Sequence, residues 1–325
     1  MKINEIGEFG LIGRIASGFS DLIPQGWEGI GDDCAVIPWG DDRSLVVTTD
    51  LLVENVHFLR DRITPYQLGY KSLSVNLSDI AAMGAKPVAT FLSVGLPSDT
   101  LEVEWCDAFF EGYRSFGVPL LGGDTTSSPE GIVINITVLG MAANGCIKRR
   151  RDARAGDMIA VTGPLGDSAA GLRAILQDLP QDNEIKELID RHHQPRPHLA
   201  EGEWLGAQEG IHAMMDISDG VASDLLHILR ASSLAATISA NDIPVSPLLQ
   251  KTAAGLGWNA LEMALTGGED YVLLLTADPV RISDLQKKFA ERFGSQLYVI
   301  GECRAGKPEI SYRGIDGQLS GYKHF

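Results

Sequence analysis

The stretch TPYQLGYKSLSVNLSDIAAMGAKPVATFLSVGL, residues 64–96, sets the fold class. Thr64-Pro65 is a helix start, with a hydroxyl as N-cap and a proline at the first helical position, where its missing N–H costs nothing. Leu73, Leu77 and Ile80 then recur at spacings of four and three, as residues on one helix face do. Gly84 is a stop, and Pro87 lies just beyond it. Residues 89–96 follow as a short apolar strand, so a helix passes directly into a strand. Upstream, Ser44-Leu45-Val46-Val47-Thr48-Thr49 is a second strand. Downstream, the pattern predicts a helix over 100–116 ending at Gly117, then strands over 119–121 and 132–141.

Between 147 and 157 the text turns basic and turn-rich, with Lys148, Arg149, Arg150, Arg151 and Arg154, and marks a domain junction. Beyond it, strands are expected over 157–162, 212–215, 271–276 and 296–300, with helices over 221–230 and 282–293. Neither a repeat period nor a low-complexity tract is visible. The expectation is an α+β protein of two mixed α/β domains, 1–147 and 148–325, the second a sheet covered by helices.

The 325 residues carry 43 acidic against 27 basic side chains, a formal net charge of −16. That charge argues against a nucleic-acid partner, which would need a basic face. No run approaches the roughly 18 apolar residues of a membrane span, and the first residues lack the order of a signal peptide. Cys34, Cys106, Cys146 and Cys303 lie far apart, without the spacing of a disulfide framework or a zinc site. A cytoplasmic protein with reduced thiols and no membrane partner is expected.

Aspartates in small-residue settings stand out: Gly31-Asp32-Asp33, Thr48-Thr49-Asp50, Asn76-Leu77-Ser78-Asp79, Gly122-Gly123-Asp124-Thr125-Thr126 and Asp216-Ile217-Ser218-Asp219-Gly220. Three follow directly on predicted strands, where a loop can aim side chains into a cleft. Carboxylates and hydroxyls suit hard Mg²⁺, which takes one or two carboxylates together with substrate phosphates. Scattered aspartates therefore suggest several ions on a polyphosphate, which also reconciles an acidic chain with an anionic ligand. Any one of these aspartates is more often a turn or cap residue, and Asp219 could simply cap the next helix. It is their conjunction that points to a cation site.

Thr162-Gly163-Pro164-Leu165-Gly166-Asp167-Ser168 links a strand to a helix and could hold an anion on backbone N–H groups, although a plain close-packed turn is the favoured reading. Rossmann, P-loop, protein-kinase and serine-hydrolase motifs are absent. His192, His193 and His198 are interrupted by Pro195 and Pro197, which suggests a solvated turn rather than a metal site.

Together with Thr49-Asp50…His57-Phe58, Gly166-Asp167-Ser168, Gly267-Gly268-Glu269-Asp270-Tyr271 and Gly321-Tyr322-Lys323-His324-Phe325, these clusters resemble the thiamine-monophosphate kinase family, in order, from about residue 5 to the end. The resemblance implies direct, in-line transfer of the γ-phosphoryl group of ATP to thiamine monophosphate, with no catalytic side chain of its own. It implies several Mg²⁺ ions, and a homodimer in which the N-terminal sheets pair into a β-barrel beside the nucleotide. Carried over by motif, Asp33, Thr48, Thr49, Asp50, Asp79, Asp124, Asp216 and Asp219 would be magnesium ligands. Gly123, Asp124, Arg150 and Ser218 would contact ATP, while His57, Glu269 and Tyr322 would contact thiamine monophosphate. The alternatives are another ATP-using member of the same superfamily, of cyclo-ligase or dehydratase type, and a non-catalytic cation-binding protein.

Overall fold

The helix that begins at Thr64 organises the molecule. In the computed structural model, which describes residues 3–97, 99 and 101–315, the Thr64 side chain accepts from Gln67 N and the Gln67 side chain accepts in return from Thr64 N, a complete capping box with Pro65 behind it. The chain runs α1 Ile3–Phe19, β1 Ala35–Trp39, β2 Arg43–Val53, α2 Pro65–Ala82, β3 Lys86–Leu96, α3 Val103–Arg114, β4 Leu120–Ser127 and β5 Val133–Ala143. It continues with β6 Met158–Val161, α4 Asp167–Leu176, α5 Asn183–His193, α6 Leu199–Gly206, β7 Ile211–Asp216, α7 Val221–Ser232, β8 Leu234–Ser239, α8 Pro247–Leu256, α9 Ala260–Thr266, β9 Leu273–Ala277, α10 Ile282–Phe293, β10 Tyr298–Ala305 and β11 Ile310–Arg313.

Among the described residues the strands form two sheets, ordered β1-β2-β5-β3-β4 and β11-β8-β10-β6-β9-β7. In the first, β5 alternates between buried and half-buried positions up to its exposed last residue, as a strand does when one face is covered and the other open. Ile134, Ile136 and Val138 point inward with Val46 and Leu52 of β2, onto Leu68, Leu73, Leu77 and Ile80 of α2 and Phe109 of α3. Leu51, Phe91, Leu120 and Leu121 remain exposed on the first sheet. In the second sheet β9 is buried at every position, because helices cover both faces. Val221, Leu225 and Ile228 of α7 pack on one side; Leu205 of α6 and Leu285 and Phe289 of α10 pack on the other, joined there by Ala81 and Ala82 from the end of α2.

Thus α2 belongs to both cores. Its junction with α6 depends on Gly202, where an added Cβ would lie 2.2 Å from the carbonyl oxygen of Ala81. Two aspartates expected just after strands sit inside them. Asp50 is in β2 and Asp124 in β4, because strand 2 runs on past Thr49 and strand 4 absorbs the whole Gly122–Thr126 cluster, while Asp79 lies in α2, within the expected helix. His192 and His193 are not in a solvated turn. They end α5, which closes before the prolines, and both are buried. Of the described helices, α1, α5, α6, α8 and α9 lie outside the sequence expectations. The 100–116 helix is shorter than expected at both ends, over Val103–Arg114.

The Gly202 contact yields a direct test. Gly202→Ala should lower unfolding stability by about 1–3 kcal/mol through overpacking, read as a drop in the thermal or denaturant midpoint; an unchanged midpoint would mean that the two halves do not meet there as tightly as described.

Candidate active site

Asp33, at the end of the turn before β1, Asp79 near the end of α2, and Asp216 at the end of β7 bring carboxylate oxygens within 4.8 Å of one another. Asp50 joins them from β2, on the same inward-facing register as Val46 and Thr48. Hydroxyl donors hold two of the carboxylates: Thr48 Oγ1 donates to Asp79, and Ser78 Oγ donates to Asp216 at 2.6 Å. The Asn76 side-chain oxygen accepts from Asp50 N at 3.1 Å, fixing the strand against α2.

Carboxylates packed this closely, one buried and three half-buried, repel one another, so their full ionisation is costly without a cation. Burial raises Asp50 to about 6 and Asp216 to about 7, the Asp33 charge adding to both. Asp79 is pushed well above the usual carboxylate range by burial and then by Asp50, Asp216 and Asp33. Arg150 supplies one counter-charge, its Nη2 donating to Asp33 Oδ1 at 2.5 Å while its backbone N–H donates to Asp32 at 3.1 Å. The other Asp33 oxygen is buried and has no hydrogen-bond partner among the described residues. An orphaned carboxylate oxygen beside an all-oxygen donor set fits Mg²⁺.

The cluster opens into a cavity of about 950 Å³ between the two halves. Asp50, His57, Lys71 and Asp79 line it from the first half; Ser168, His192, Asp216, Ser218, Asp219 and Glu269 line it from the second. Asp224 shapes the Asp216–Gly220 turn, its carboxylate accepting from Asp219 N at 3.1 Å and Gly220 N at 3.0 Å. The N-cap position of α7 is Gly220 rather than Asp219. The Gly166–Ser168 turn is not an open anion cradle, since the Asp270 carboxylate accepts from Gly166 N at 2.6 Å and Ser168 N at 3.2 Å.

Not every candidate ligand converges. Thr49 turns to the opposite face of β2, where its hydroxyl accepts from Asn135 at 3.0 Å and from Thr137 at 3.1 Å. Asp124 lines a separate groove on the first sheet with Ser93, Thr126 and Asn135. The preceding Gly123 has φ +150°, and a Cβ there would lie 1.7 Å from the carbonyl oxygen of Leu92 on the neighbouring strand. Tyr322, with the rest of the 321–325 tail, lies outside the described residues. Sequence reasoning missed Lys71, His192 and Asp224. Of these, Lys71 left a trace, a charge four residues from Val75 and three from Leu68 on an apolar helix face.

Residues 31–142 match the family model described as AIR synthase related protein, N-terminal domain, and residues 154–313 match its C-terminal domain. Within that class, the thiamine-monophosphate kinase of Buchnera aphidicola subsp. Schizaphis graminum is 39% identical over 99% of each chain. That of Escherichia coli K12 is 40% identical over 98% of each. A solved structure of AaThiL complexed with AMPPCP and TMP superposes with TM-score 0.87 at 33% identity, covering 100% of this chain and 99% of that one. The chain belongs to the thiamine-monophosphate kinase family.

A pH dependence follows from the carboxylates. Groups raised in the folded state favour folding while protonated; that contribution is present below their unfolded values near 4 and fades as pH rises through 6 to 7. A divalent cation held by these carboxylates would compete with those protons and so bind better as pH rises. The increase in melting temperature on adding Mg²⁺ should therefore be larger at pH 8 than at pH 5.5. An equal or smaller increment at pH 8 would contradict this account of the cluster.

Proposed function

We propose that this chain is an ATP-dependent kinase that transfers the γ-phosphoryl group of ATP to thiamine monophosphate, giving thiamine diphosphate and ADP. The observation that carries the reading is the convergence of Asp33, Asp79 and Asp216 from both halves of the molecule, in a chain matched along its length by thiamine-monophosphate kinases.

Asp33, Asp50, Asp79, Asp216 and Asp219, with the Thr48 hydroxyl, would hold the magnesium ions at the cleft. Thr49 and Asp124 would serve from the open face of the first sheet, and Gly123, Asp124, Arg150 and Ser218 would contact ATP. When bound, the ions neutralise and orient the phosphates of both substrates. Arg150, which pairs with Asp33, becomes free to turn to nucleotide phosphate when cations neutralise that carboxylate. His57, Glu269 and Tyr322 would bind thiamine monophosphate.

The acceptor is a phosphate monoester with a second pKa of about 6, so at neutral pH its attacking oxygen is already mostly anionic. That oxygen forms a bond to the γ-phosphorus as the bond from the γ-phosphorus to the β–γ bridging oxygen breaks, and no side chain has to remove a proton. His57 agrees with this role. Its Nδ1 accepts from Val53 N at 3.0 Å, so that nitrogen is engaged by the main chain and is not available as a base.

We further propose a homodimer joined through the open face of the N-terminal sheet, where Leu51 and Phe91 are exposed. Residues 1–147 would form the nucleotide- and magnesium-binding, dimerising unit and 148–325 the second unit. Among the described residues no helix is long and apolar enough to cross a membrane, which is compatible with a cytoplasmic enzyme.

Incubation with ATP, Mg²⁺ and thiamine monophosphate should give thiamine diphosphate and ADP in equal amounts; ADP formation independent of thiamine monophosphate would overturn the reading. Asp50→Asn, Asp79→Asn and Asp216→Asn should each lower kcat/KM by about 10²-fold or more, and near-normal turnover would remove that residue from the ligand set. Light scattering should give about twice the 35.0 kDa chain mass, and a stable monomer at micromolar concentration would refute the dimer.

A further inference from the structure

Glu269 differs from Asp50 and Asp79 in having a buried ammonium against it. Lys71 of α2 is 1% exposed, and its Nζ lies 3.1 Å from each carboxylate oxygen of Glu269. His192 completes the group, with Nδ1 3.2 Å from Glu269 Oε2 and 3.0 Å from Ser168 Oγ, and Nε2 3.4 Å from Lys71 Nζ. An ammonium only donates, so Nε2 is the acceptor and the ring proton sits on Nδ1, directed at Glu269 and Ser168. Burial, reinforced by the Lys71 charge, keeps that ring neutral.

The main chain is fixed as firmly as the side chain. Glu269 has φ 63°, a left-handed conformation uncommon for a residue with a side chain. Its N–H donates to Ser218 O at 2.7 Å, tying it to the turn that also carries Asp219. The carboxylate is nonetheless 27% exposed, and it lines the cavity.

A carboxylate with an ammonium 3.1 Å away offers little net field to a third ion. What survives is directional: a carboxylate has about four acceptor sites, and Lys71 and His192 do not occupy them all. Thiamine monophosphate presents two nitrogen chemistries, a cationic thiazolium with no N–H and a neutral aminopyrimidine with an N–H donor. We propose that Lys71 and His192 are positioning residues that hold Glu269 and cancel its charge, so that Glu269 reads the exocyclic amino group of the pyrimidine rather than the thiazolium charge. This rests on the reading of the chain as a thiamine-monophosphate kinase.

The test is the split between the two substrates in steady-state kinetics. Lys71→Met should raise KM for thiamine monophosphate about tenfold or more, with KM for ATP within about twofold and kcat little changed. An unchanged KM for thiamine monophosphate overturns the proposal. So does a lower one, since a Glu269 freed of its counter-charge would attract a thiazolium more strongly, and so does a parallel rise for ATP. Because Lys71→Met leaves a carboxylate beside a buried apolar chain and could fail to fold, a second measurement uses the unaltered protein. The thiamine monophosphate analogue with a carbonyl in place of the pyrimidine amino group should show a KM about tenfold higher or more, and an equal KM overturns the proposal. If the unaltered protein does not phosphorylate thiamine monophosphate at all, the kinase reading itself falls and takes this inference with it.

Discussion

Like charges in a small volume are the constraint from which the rest of this molecule follows. Asp33, Asp50, Asp79 and Asp216 meet half-buried or buried at the cleft, where Coulomb repulsion is stronger than at the open surface. Two hydroxyls, one guanidinium and partial protonation hold the arrangement; a divalent cation satisfies it better, because it neutralises several carboxylates at once. The arrangement persists because the surrounding packing is stiff enough to impose it.

That stiffness comes from α2. It is anchored by its capping box, buried against the first sheet on one side, and pressed into the second half at Ala81, Ala82 and Gly202. Ser78 and Asp79 sit on adjacent positions and reach different partners, Ser78 to Asp216 of β7 and Asp79 to Thr48 of β2. One helix turn therefore registers the two sheets against each other. Two turns earlier, Lys71 of the same helix holds Glu269, so the carboxylate cluster and the proposed acceptor pocket share one rigid element. A site meant to bring two anions together gains from such a frame, since small errors in position are costly when reacting oxygens must line up.

Much of this was legible in the sequence, and the residues say why. Thr64-Pro65 carries a local signal for a helix start, and α10 carries a strong amphipathic period; both elements fall where the pattern put them. The aspartate clusters were legible as candidates because small and hydroxyl neighbours recur around them. Their placement was harder to read. Asp50 lies within a strand rather than after it because tertiary burial, not turn propensity, decides where it sits, whereas Asp79 falls inside the helix that the pattern predicted. His192 and His193 were misjudged because Pro195 and Pro197 terminate α5 rather than exclude it. The Lys71–Glu269 pair spans 198 positions, and no local pattern announces a contact of that range. The Thr49 side chain lies opposite Asp50 because neighbouring residues in a strand face opposite ways, a consequence that depends on strand 2 continuing past its predicted end.

In the proposed reaction the carboxylates of the cleft meet substrate phosphates only through cations. Calorimetric titration of thiamine monophosphate into the protein with an unreactive ATP analogue tests it most directly, once with Mg²⁺ and once with the metal chelated. The account predicts binding at least about tenfold tighter with Mg²⁺, as expected when a bound ion carries the attraction between two negative partners. Equal affinity in the two titrations would contradict it.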